Sequence, residues 1–110
     1  MNTQEQINKL KDSLLTVTES VYEAWAHNAK TPYIVWLTEG AGDGLRANGQ
    51  TEEQAIRGTI HLFEMTGTKE SKFLAVQSVL NDCECAWRLA SIQHEADTRL
   101  THYEWVWEVC

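Results

Sequence analysis

Residues 56–62 read Ile56-Arg57-Gly58-Thr59-Ile60-His61-Leu62. Ile56, Gly58, Ile60 and Leu62 fall on one parity, and Arg57, Thr59 and His61 on the other. Successive side chains of a strand point to opposite faces, so the pattern predicts a half-buried strand over 55–64. Such a strand needs an apolar layer on one side only. Downstream, Thr66-Gly67-Thr68 breaks the alternation, and Thr68 can cap a helix over 70–81 with Glu70 in its first turn. Phe73, Val76, Val79 and Leu80 form its apolar stripe, and Asn81-Asp82 ends it. Two further strands follow, over 85–94 and 101–109, separated by the turn residues Ala96-Asp97-Thr98-Arg99. In the first, Cys85, Trp87 and Leu89 share a face. In the second, Tyr103, Trp105, Trp107 and Val109 oppose His102, Glu104 and Glu108.

Upstream, Tyr33-Ile34-Val35-Trp36-Leu37 is apolar on both parities, which suits a strand over 33–38 covered on both faces. Ile7, Leu10, Leu14, Val17, Val21 and Trp25 recur at steps of three and four residues. That spacing predicts one amphipathic helix over 4–26, roughly 35 Å long at 1.5 Å per residue. Thr3 and Gln6 form a capping box, and Asn28 with Pro32 supplies the stop. A helix of that length overhangs a four-stranded sheet, so its stripe either projects or serves another chain. Trp25, Trp36 and Trp87 are expected in the core. The order of elements predicts a single α+β domain over 1–110: a four-stranded mixed, largely antiparallel sheet with two helices packed on one face.

Residues 39–54 form a long loop with Gly40, Gly42, Gly44 and Gly49 and the acids Glu39, Asp43, Glu52 and Glu53. Its glycines lack the Lys-Ser/Thr of a phosphate-binding loop. With little apolar surface to offset ordering, it is expected to be mobile in the free subunit and to order on docking. The alternative is a surface excursion without a role.

Sixteen acidic against nine basic residues give a net charge of −7. The bases are scattered, so specific phosphate gripping and docking on an anionic membrane are not expected. No apolar run is long enough to span a bilayer, and Met1-Asn2-Thr3-Gln4-Glu5 lacks the character of a signal peptide. A reducing compartment is expected, with Cys83, Cys85 and Cys110 as free thiols. Cys83-x-Cys85 is tighter than the usual zinc spacing. The only candidate for nucleophilic catalysis is Cys83 or Cys85 with His94 or His102, which a hairpin of the last two strands would hold apart. His61 is expected to be an ordinary strand histidine. Glu104 and Glu108, at i and i+4, are expected on a solvated face without the cleft that paired-carboxylate chemistry requires. Tyr103, Trp105 and Trp107 either form the helix-facing side of the sheet or an exposed aromatic ledge of the kind interfaces favour.

Several stretches carry a family likeness. Tyr33-Ile34-Val35-Trp36 is followed by the polar Arg46-Ala47-Asn48. Ile60-His61-Leu62-Phe63-Glu64-Met65-Thr66 then leads into a helix. Cys85-Ala86-Trp87-Arg88-Leu89, Gln93-His94-Glu95 and Leu100-Thr101-His102-Tyr103-Glu104-Trp105 close the chain. In order and pattern, over most of residues 32–109, this resembles the small tail-completion and tail-terminator proteins of long-tailed bacteriophages and prophages. The resemblance implies an α+β subunit of a ring, often a hexamer, that caps the tail tube and joins it to the head connector. It also implies a virion location after assembly in the host cytoplasm, no catalytic residues and no cofactor. The implied partners are copies of the chain, a tail-tube protein and a head-connector protein. DNA would pass through an acidic lumen without adhering. The interface candidates are Glu39, Asp43, Glu52, Glu53, Tyr103, Trp105 and Trp107. The chain departs from the family in the Gly-rich loop. The competing expectation is a small acidic intracellular protein-binding or immunity-type module.

Overall fold

The computed structural model describes residues 2–41 and 55–109. The chain is α+β, with the order α1 (Thr3–Leu14), β1 (Val21–Glu23), β2 (Tyr33–Ala41), β3 (Ile56–Met65), α2 (Phe73–Asp82), β4 (Ala86–Glu95) and β5 (Leu100–Val109). Among the described residues, five strands form one mixed sheet in the order β1-β2-β3-β5-β4. The β1–β2 pair is parallel, and the β2–β3, β3–β5 and β5–β4 pairs are antiparallel. The expected hairpin of the last two strands is present, its turn closed by Arg99 N–H donating to Glu95 O (2.9 Å).

The fifth strand is a correction, and it comes out of the expected long helix. α1 stops at Leu14, twelve residues short of position 26. Thr16, Val17 and Thr18 follow, two of them with hydroxyls that compete for backbone bonds. Thr16 Oγ1 donates to Ser13 O (2.6 Å), and Thr18 Oγ1 donates to Pro32 O (3.0 Å). Val21 then joins β1 opposite Ile34. Val17 and Val21 still pack against the core, which is why the apolar spacing outlasts the helix. Trp25 lies beyond β1 and is 84% exposed, not in the core. Asn28 adopts a left-handed conformation, φ 55°, in a turn and not at a helix end. The α1 cap is Asn2, whose Oδ1 accepts from Glu5 N–H (2.8 Å), in place of the Thr3/Gln6 box.

The helix-covered face of the sheet holds the core. Ile34, Trp36, Ile60, Leu62, Trp105, Trp107 and Val109 are buried against Ile7, Leu10 and Leu14 of α1 and Val76, Val79 and Leu80 of α2. Gly58 sits opposite Trp107 across the β3–β5 ladder. A Cβ there would collide with the Trp107 ring and the Leu37 carbonyl oxygen, so only glycine lets the indole lie flat on β3. Trp105 Nε1–H donates to Gln77 Oε1 (3.2 Å), and Trp87 Nε1–H donates to Asn81 Oδ1 (2.8 Å), tying α2 to β5 and β4.

α2 begins at Phe73, not at 70, and Thr68 does not cap it. Glu64, at the end of β3 and 3% exposed, does that work from outside the helix. Its carboxylate accepts from Lys72 N–H (3.0 Å), Ser71 Oγ (2.5 Å) and Tyr103 OH (3.0 Å). A carboxylate at a helix N-terminus satisfies orphan N–H groups and complements the dipole.

Candidate functional site

Side chains of alternate parity on the central strands line the sheet face opposite the helices. The register places them in two rows. Tyr33, Phe63, His102 and Gln93 lie side by side across β2, β3, β5 and β4. Val35, His61, Glu104 and Ser91 form the next row. The rings of the first row stack: Tyr33 on Phe63 with centroids 4.7 Å apart, and Phe63 on His102 at 4.2 Å. Tyr22 of β1 meets Tyr33 edge-on at 6.5 Å. Directly opposed and diagonal cross-strand neighbours lie within reach of aromatic side chains, which is how two strand histidines come together here.

His61 Nδ1 and His102 Nε2 are 2.8 Å apart, a hydrogen bond between the two rings. His61 Nε2 lies 3.1 Å from Thr59 Oγ1, which is buried beneath it. Burial pushes both imidazoles below their ordinary pKa, against the pull of Glu104 and Glu39 on His61 and of Glu95 and Glu104 on His102. Donor atoms of His61, His102 and Glu104 lie within 4.8 Å of one another. Beside them is a shallow pocket of about 380 Å³, lined by Trp25, Tyr33, Leu37, His61, Phe63 and His102.

The expected site residues are scattered by comparison. Trp105 and Trp107 are fully buried on the helix-covered face, and Tyr103 is half-buried beside them. They form the core of the subunit, not an exposed ledge, because the α1 and α2 stripes lie over them. Glu39 is exposed and stands where the β2–β3 register shifts, between Thr38 and Gly40. The strand thus runs past the expected loop boundary. Asp43, Glu52 and Glu53 lie outside the described residues.

The thiol–histidine arrangement does not assemble among the described residues. Cys83 and Cys85 are buried in the core, and burial pushes the Cys85 thiol up to about 12. His94 Nδ1 is 3.0 Å from Thr101 Oγ1, whereas His102 lies on the opposite face. The His61–His102 pair was hidden in the sequence, because no local pattern there makes β3 and β5 neighbours. Its only signal was that each histidine sits on the polar parity of its strand.

The open face contrasts with the composition of β2. Tyr33, Val35 and Leu37 are apolar on this side too, and among the described residues no helix covers them; Val35 is buried, while Tyr33 and Leu37 are half-buried. No protein-family model matches the chain, and comparison with curated proteins returns no match.

Proposed function

We propose that the chain is a structural subunit that associates with copies of itself into a ring, capping a phage-type tail tube and joining it to the head connector. In this role it binds and holds, and performs no chemistry. The observation that carries the reading is β2: residues 33–37 are apolar on both parities, and among the described residues helices lie over only one. Exposed Trp25 stands beside the uncovered side, next to half-buried Leu37 and Phe63. Large apolar side chains left together at a surface favour a protein partner, and aromatic residues are the usual anchors. The resemblance of residues 32–109 to tail-completion proteins makes a second copy the first occupant of that face, with the tube and connector proteins as further partners.

Light scattering after size exclusion, from micromolar to millimolar protein, tests this. A mass rising to a closed multimer, and falling back in Trp25→Ser and Leu37→Glu, is the expected result. A strict monomer throughout, with no binding to tail-tube or connector protein, would overturn it. A one-to-one complex with some other protein, without self-association, would favour the binding-module alternative.

A further inference from the structure

We propose that His61, His102 and Glu104 form a binding site for a divalent late transition-metal ion of the zinc class. Two imidazoles and one carboxylate are the donor set such ions take, and three protein ligands leave one tetrahedral position for water. All three groups project from adjacent antiparallel strands on the open face, His61 directly opposite Glu104 and His102 one diagonal away. Their donor atoms already lie within 4.8 Å of one another.

The fit is close to what the ion requires. Two Zn–N bonds of about 2.0–2.1 Å at a tetrahedral angle set the nitrogens about 3.3 Å apart. The present His61 Nδ1···His102 Nε2 distance is 2.8 Å, so the rings need to part by about 0.5 Å. The hydrogen now shared between them leaves by a tautomer change: His102 carries its proton on Nδ1, and Nε2 then presents a lone pair. No net proton is released in that step.

Thr59 Oγ1 is within reach to accept from the ligating tautomer of His61. With Nε2–H donating to Thr59 Oγ1 (3.1 Å), Nδ1 holds the lone pair and aims it at the site. Ligating histidines characteristically donate their other N–H to such a partner, which fixes ring orientation. His102 is held by its stack on Phe63, centroids 4.2 Å apart with 20° between planes, and Phe63 in turn by Tyr33. The buried thiols Cys83 and Cys85 belong to the helix-covered core and do not contribute.

The test is Zn²⁺ titration of the metal-stripped full chain against a chromophoric chelator, with Co²⁺ absorption as a second readout. One ion per chain is expected, with a Co²⁺ spectrum of nitrogen and oxygen ligands and no thiolate charge-transfer band. His61→Gln, His102→Gln and Glu104→Gln should each weaken binding more than about tenfold, and Thr59→Val by about tenfold. Circular dichroism checks the fold of each variant. If a histidine variant fails to fold, Glu104→Gln and Thr59→Val still decide the matter. Absence of saturable one-to-one uptake, a thiolate spectrum, or affinity unchanged in the folded variants would overturn the site. Uptake is read on the subunit, so the result stands apart from whether the chain forms rings.

Discussion

β3 and β5 present two faces built on the same backbone, and the faces differ in what holds them. On the helix-covered side, Ile60, Leu62, Trp105 and Trp107 are fully buried under α1 and α2. On the other, His61, Phe63, His102 and Glu104 are half-buried, and their order comes from stacking and from one histidine–histidine hydrogen bond. The first face carries the stability of the subunit, because apolar area removed from water is the largest favourable term in folding. The second leaves ring faces and donor atoms available to something outside the subunit. Changes on the covered face are therefore expected to act on folding, and changes on the open face on binding.

The strongest challenge to that division is Trp105→Ala, which empties the centre of the core and strands Gln77 without its donor. A loss of about 3–5 kcal/mol is expected in urea unfolding. Gly58→Ala comes next. The added methyl meets the Trp107 ring and the Leu37 carbonyl, and overpacking of this kind costs about 1–3 kcal/mol, more where backbone must move. A stable Gly58→Ala would mean that the indole does not lie on β3. Glu64→Gln keeps the shape of the α2 cap but loses its charge and gives one amide donor where the carboxylate accepts three bonds. About 1–3 kcal/mol should go with it, since bonds to charged groups are the stronger kind.

A smaller effect tests the covered face by pH. Cys85 ionises near 9.0 in the unfolded chain and at about 12 in the folded one, through burial. Between those values the unfolded state binds fewer protons, so stability falls as pH rises above 9. Cys85→Ala should flatten that slope in urea midpoints measured at pH 8 and 10, and the native Cys85 thiol should resist alkylation at pH 8. An equal slope in both proteins would place the buried ionisation elsewhere. The smallest change in stability belongs to the open side. Trp25→Ser should shift unfolding by no more than about 0.5 kcal/mol while weakening self-association. A larger loss of stability would show that Trp25 supports the subunit itself, and the contrast between the faces would fail.

Which residues share a face is already legible in the order of residues along each strand. Alternation in 56–62 and 101–109 is a local property of extended chain, and it groups Ile56, Ile60 and Leu62, and likewise Trp105, Trp107 and Val109, on one side of each strand; that this side is the core comes from the helices lying over it. α2 and the hairpin turn at 96–99 are legible too, where apolar spacing and turn chemistry agree. Three matters depend on long-range packing instead. The end of α1 is one, because Val17 and Val21 fit a helical stripe as well as they fit a turn and a short parallel strand. The start of α2 is another, set by Glu64 from a different element and not by a local cap. The third is the pairing of β3 with β5. His61 and His102 are 41 positions apart in the chain, and no local preference encodes which strands become neighbours or in what register. Burial of Gly58 against Trp107 and of the apolar parities beneath the helices fixes that register. The histidines, Glu104 and the aromatic row on the reverse face are brought together as its consequence.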